Sequence, residues 1–134
     1  MILPIPNKWS SRDRPPLVLF VDDEEALVRA YGSELVTNFG YEVVPCLNAA
    51  RAISAAEQYS VFVDIIIMDI RLGKDDGVRI AKKMLKVCPN AKVVFISGDP
   101  TALDGNLPGT RLIKPFTVID LDHALRVLVL GNGA

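Results

Sequence analysis

Three carboxylates, a hydroxyl and an ammonium group stand directly after short apolar runs in this chain. Asp22 and Asp23 follow the run at 17–21, Asp69 the run at 65–68, Ser97 the run at 92–96, and Lys114 the run at 111–113. Gathered in one place, these groups have a definite chemistry. Crowded carboxylates repel, and one is held protonated unless a cation neutralises them. An oxygen-only donor set selects a hard ion such as Mg2+. A carboxylate beside that ion can act as a nucleophile toward a phosphoryl group. A nearby lysine stabilises the added negative charge, and a serine hydroxyl donates to a phosphate oxygen. The set reads as a site for making and holding an aspartyl phosphate. Singly, each residue is ordinary, since acids after a strand commonly cap the next helix. The joint occurrence carries the reading.

The elements that must position these groups are legible from periodicity. The runs are too apolar for a half-exposed sheet. Between them, Leu27, Tyr31, Leu35 and Phe39 recur at spacings of four and Gly40 stops them. Residues 41–46 read as a second strand, and Asn48 caps a helix through Gln58 with Ala49, Ala52, Ile53 and Ala56 inward. Residues 61–68 form the most buried strand, interrupted by Asp64. Val78, Ala81, Met84, Leu85 and Cys88 mark a third helix stopped by Pro89, and residues 117–130 form the last, with Leu121, Leu125, Leu128 and Val129 inward. Residues 98–109 are rich in Gly, Pro, Asp and Asn and allow at most a short turn near 101–103. This alternation predicts an α/β doubly wound parallel sheet of five strands. Such sheets bind ligands beyond the carboxyl ends of their strands, where the five groups stand.

Composition narrows the alternatives. The 134 residues make one domain, 50% hydrophobic and 23% charged, enough for an ordered core. Fifteen basic residues against sixteen acidic leave a formal charge of -1, which gives no electrostatic case for nucleic acid or a membrane surface. No apolar run approaches the ~20 residues of a membrane span. Cys46 and Cys88 make neither a disulfide framework nor a zinc site, fit a reduced cytoplasmic setting, and read as core residues. Residues 1–16, with four prolines, read as a flexible extension in which Trp9 is a candidate for docking; 17–130 is the domain and 131–134 a tail. Lys82, Lys83 and Lys86 read as a solvated helix face, with a partner-docking strip as the alternative. His123 reads as solvated, and Asp75 and Asp76 as turn and cap residues.

The segments Val21-Asp22-Asp23-Glu24, Met68-Asp69-Ile70-Arg71-Leu72 with Gly77 eight positions after Asp69, Ile96-Ser97-Gly98 and Lys114-Pro115-Phe116 resemble the receiver domain of two-component response regulators, the CheY-like superfamily. The resemblance covers about residues 17–130. It implies a flavodoxin-like (βα)5 sheet of order 2-1-3-4-5. Asp69 would be the phosphoacceptor for a histidine kinase or phosphotransfer protein. Asp22, Asp23, Asp69 and the Arg71 carbonyl would hold Mg2+, Ser97 and Lys114 would bind the phosphate, and Pro115 would follow a cis bond. No activity beyond the domain's own phosphorylation and dephosphorylation is implied. With one domain in hand, output is expected through a protein partner or an output domain on another chain, with homodimer formation open.

Three departures from the family pattern stand out. Gly73 replaces the usual Pro, which points to a looser loop. Arg111 replaces the usual aromatic, as a cation able to reach Asp99 or solvent. The stretch from Ser97 to Lys114 is short, which points to a shortened or irregular fourth helix and to output through residues 98–109. Arg71 and Asp99 occupy positions that could tune phosphate lifetime by pairing across the site's mouth. Two rival readings remain: a dehalogenase-type phosphatase, which would need a second acid where Arg71 stands, and a pseudo-receiver that keeps the fold without being phosphorylated.

Overall fold

The computed structural model describes Trp9 and residues 12–131. Five parallel strands, β1 (Leu17–Val21), β2 (Glu42–Cys46), β3 (Val63–Asp69), β4 (Lys92–Ser97) and β5 (Thr110–Ile113), form one sheet of order 2-1-3-4-5. The helices are α1 (Glu25–Phe39), α2 (Ala49–Tyr59), α3 (Gly77–Val87) and α4 (Val118–Leu130). Because strand side chains alternate between faces, β1 sends Leu17, Leu19 and Val21 into one core with α2 and α3. It sends Val18 and Phe20 into the other, with α1 and α4. Burial on both faces is why these strands read as continuous apolar runs.

Local chemistry sets the helix ends. The Asn48 side chain accepts from the Arg51 amide at 2.8 Å, and Asp76 accepts from the Val78 amide at 3.0 Å. Gly40 ends α1 at φ 78°, in the left-handed region that favours glycine. Thr117 and Asp120 form a reciprocal capping box at the start of α4. Between β4 and β5 the fourth helix is reduced to a single 3-10 turn, Pro100–Leu103.

Three expectations are corrected. The third strand begins at Val63, because Ser60 turns the chain at φ 39° into a 3-10 turn over Ser60–Phe62. The loop after Asp69 is not loose. Arg71–Leu72 pairs antiparallel with Asp75–Asp76, and Gly73 at φ 60° opens the two-residue turn between them. Proline, fixed near φ -65°, cannot take that conformation. The third correction concerns the flexible extension over 1–16. Residues 1–8, 10 and 11 lie outside the described residues, as do 132–134 of the tail. Trp9 and 12–16 are docked: Trp9 is 4% exposed, its ring 5.1 Å from that of Tyr41, and its indole N–H donates to the Phe39 carbonyl at 3.3 Å.

Asp64 explains the docking. The register of β1 and β3 runs from Leu17↔Val63 to Val18↔Ile65, so Asp64 is the extra residue of a bulge. Its carboxylate accepts from the Leu17 amide at 2.8 Å, Arg12 at 2.9 Å and Arg14 at 3.3 Å. An acid interrupts an apolar strand here because the preceding segment supplies two cations and an amide. Asp64→Ala strands all three donors, and we expect it to lower stability by ~1–3 kcal/mol in urea unfolding. A change within ~0.5 kcal/mol, typical of an unremarkable surface site, would show that the clamp contributes nothing.

Candidate functional site

The carboxyl ends of β1, β3, β4 and β5 meet at one edge of the sheet, and loop hydrogen bonds hold them level. The Asp22 amide donates to the Cys46 carbonyl at 3.2 Å, that of Ile70 to Ile96 at 3.0 Å, and that of Lys114 to Ser97 at 2.8 Å. The Lys114–Pro115 bond is cis. The Tyr31 hydroxyl donates to the Phe116 carbonyl, tying this loop to α1. Gly77 is needed here for space: a Cβ on it would lie 2.0 Å from the Asp69 carbonyl oxygen.

Lys114 is the hub. Its Nζ lies 2.7 Å from Glu24 Oε1, 2.9 Å from Asp22 Oδ2 and 3.6 Å from Asp69 Oδ2. Asp22 is fully buried and Asp69 is 6% exposed. Burial first, then the neighbouring Asp22 charge, pushes the Asp69 carboxyl up to about 6, against the opposing pull of Lys114 and the Arg71 amide. Burial works to lower the Lys114 pKa, but its bonds to Glu24 and Asp22 and the charges of Asp22 and Asp69 outweigh it and raise it above its ordinary value.

The remaining groups line the same pocket of about 460 Å3: Asp23, Arg71, Ser97 and Asp99. The Arg71 amide donates to Asp69 Oδ1 at 3.2 Å, and the Asp99 amide to the Ser97 hydroxyl oxygen at 3.0 Å. That leaves the Ser97 O–H to donate into the pocket. The Arg71 guanidinium bonds Asp99 Oδ2 at 2.8 Å across the mouth.

Three residues sit differently from the sequence reading. Carboxylate oxygens of Asp22, Glu24 and Asp69 lie within 4.8 Å of one another, whereas Asp23 lines the pocket outside that cluster. Glu24 reads in sequence only as an acid at a helix start. As the residue before α1 it makes no side-chain cap bond, and its carboxylate turns to Lys114. Arg111 does not reach Asp99. Its guanidinium donates to the Leu103 carbonyl at 2.6 Å and to that of Gly105.

An all-oxygen set around a buried carboxylate suits a hard divalent cation. Among the described residues the one cation at the buried Asp22 Oδ2 is Lys114, at 2.9 Å, which it shares with Glu24 and Asp69. The donors therefore fit such an ion.

The sequence model of the family described as response regulator receiver domain matches residues 18–126. The sensor kinase CckA of Brucella abortus (strain 2308) is 32% identical over 117 residues, 84% of this chain. The chemotaxis protein CheY of Thermotoga maritima is 36% identical over 105 residues, 74% of this chain and 85% of its own length. The crystal structure of the receiver domain from hybrid histidine kinase CckA superposes with a TM-score of 0.72 at 31% identity, covering 84% of this chain and 98% of that one. The chain spans 12% of the Brucella kinase and 65% of the CheY of Treponema pallidum (strain Nichols).

The raised Asp69 pKa has a consequence for stability. The folded chain holds this proton more tightly than the unfolded chain, where the carboxyl titrates near 3.8. The charge therefore costs stability that is intact below the unfolded value and lost as pH rises to about 6. In metal-free buffer, Asp69→Asn should be more stable than wild type at neutral pH, with the advantage shrinking as pH falls through this window. A pH-independent difference in urea midpoints would contradict the buried-charge account.

Proposed function

Because the chain belongs to the response regulator receiver domain family, we propose that it accepts a phosphoryl group on Asp69 from the phosphohistidine of a histidine kinase or phosphotransfer protein. The observation that carries this is the convergence of Asp22, Asp69 and Lys114 within ion-pair reach at the strand ends. An Asp69 oxygen attacks phosphorus, an oxygen–phosphorus bond forms, and the phosphorus–nitrogen bond breaks with its electron pair leaving on the donor imidazole. Lys114, cationic at neutral pH, and the Ser97 hydroxyl meet the phosphoryl oxygens. Asp22, Asp23, Asp69 and the Arg71 carbonyl would hold Mg2+, with Glu24 as a further acid at the rim. Bound there, Mg2+ supplies positive charge that keeps the crowded carboxylates ionised and offsets the phosphoryl oxygens.

The receiver unit runs over 17–130, with Trp9 and residues 12–16 docked against it. No helix among the described residues is long and apolar enough to cross a membrane. A cytoplasmic location and signalling by protein contact belong to this reading. With the fourth helix reduced to one turn and Arg111 in the aromatic position, output passes through the loop at 98–109.

Acetyl phosphate with Mg2+ tests the reading. We expect a mass gain of one phosphoryl group, absent in Asp69→Asn and absent with chelator, and altered amide exchange over 98–109 in the phosphorylated protein. No modification by any donor would favour the pseudo-receiver, and equal exchange in both states would remove the loop from signalling.

Phosphate lifetime is a separate matter. The Arg71–Asp99 pair spans the mouth of the pocket and on this reading hinders the attacking water, so Arg71→Ala should speed autodephosphorylation several-fold. An unchanged decay rate would rule out the pair as a barrier.

A further inference from the structure

Helix α3 carries Arg79, Lys82, Lys83 and Lys86, spaced so that all four share one face. All are exposed, opposite the side on which Ile80, Ala81 and Met84 enter the core. From Gly77 to Gly98 the chain holds five basic residues, Lys92 being the fifth, and no acid. Acids nevertheless outnumber bases, 16 to 15, in the whole chain. A solvated helix face ordinarily interleaves signs, as α1 does with Glu25 and Arg29 at 2.8 Å. Among the described residues the four cations of α3 enter no ion pair, and their mutual repulsion opposes the helix.

A second feature abuts the strip. Val61, Phe62 and Val87 are 52%, 57% and 38% exposed, with the Arg14 guanidinium over the Phe62 ring at 5.2 Å from its centroid. The Ser60 hydroxyl donates to the Val87 carbonyl at 2.8 Å, and the Asn90 amide group to the Val61 carbonyl at 3.1 Å. These bonds pin the 60–62 turn to the C-terminal end of α3. Val87 follows Lys83 by four residues, so the apolar ledge continues the edge of the cationic face.

We propose that α3 and the 60–62 turn form a docking surface for an acidic amphipathic segment of another protein. Its carboxylates lie along Arg79, Lys82, Lys83 and Lys86, and an apolar side chain rests on Val61, Phe62 and Val87. A phosphate backbone would use the cations and leave the ledge bare, and half-exposed side chains pinned against a helix end do not project as a membrane-inserting loop does. The surface is distinct from the Asp69 pocket, none of whose lining residues belongs to it. It stands whether or not Asp69 is phosphorylated.

The test uses a labelled synthetic peptide with glutamates on one helical face and leucines on the other, a permuted peptide of equal composition, duplex DNA, and phosphatidylserine vesicles. We expect the ordered peptide to bind best and to shift amide resonances on α3 and at 60–62. Combined Lys82→Glu, Lys83→Glu and Lys86→Glu should weaken it about tenfold or more, and Phe62→Ser should weaken it with the charges intact. The corresponding triple alanine variant, checked by circular dichroism, guards against misfolding and should weaken binding less. The proposal is overturned if the ordered peptide does not bind, if the permuted peptide, DNA or vesicles bind as well, or if the charge and Phe62 variants leave binding unchanged.

Discussion

Two carboxylates buried side by side, Asp22 and Asp69, are held in place by one ammonium group. This arrangement is the constraint around which the acidic edge of the sheet is built. Like charges in a low-dielectric site repel by several kcal/mol unless a counter-charge stands within a few ångströms. Lys114 supplies it, and to do so β5 must end level with β1 and β3. The backbone bond from Lys114 to Ser97, the contact of Tyr31 with the Phe116 carbonyl and the close passage of Gly77 over Asp69 each hold that level. One cation facing Asp22, Glu24 and Asp69 leaves the site short of positive charge. Burial first, and the neighbouring Asp22 charge that Lys114 only partly offsets, raise the Asp69 pKa.

The opposite end of the sheet shows what a balanced site looks like. Asp64 also breaks an apolar strand, yet it faces two guanidinium groups and a backbone amide. Every lone pair it needs satisfied is satisfied, and there is no deficit for an ion or a phosphoryl group to fill. The two ends use the same residue type, and the ratio of cations to acids separates a structural clamp from a reactive pocket.

The sheet order, the two-sided cores and the edge that carries the site were legible because each strand is buried on both faces and each reactive residue follows a strand directly. Glu24 was not, because nothing in its spacing says that an acid before a helix will turn back to a lysine ninety residues on. The docking of Trp9 and 12–16 was hidden because prolines and a lack of periodicity describe a segment with no regular structure, not one without contacts. Its anchor, Asp64, looked like an interruption until the bulge gave it partners. Gly73 misled in the same way: its freedom serves a turn at φ 60°, so glycine there marks a tight loop.

The short fourth-helix region and the arginine at position 111 are one adaptation. Removing most of a helix beside β4 and β5 leaves carbonyls without intrahelical donors. The backbone turn Pro100–Leu103 answers part of this, and Arg111 answers the rest by donating to the Leu103 and Gly105 carbonyls. An aromatic side chain at this position has no fork of N–H groups and could not bridge two carbonyls. Gly109 completes the fit, since a Cβ there would lie 2.4 Å from the Val93 carbonyl oxygen. The loop is thus drawn onto the sheet by β5 itself, while its other end is held at the pocket by Asp99 against Arg71. The stretch from Asp99 to Gly105 is thus fastened at both ends by arginines, Arg71 at Asp99 and Arg111 at the Leu103 and Gly105 carbonyls, where a complete helix would hold itself by its own backbone bonds.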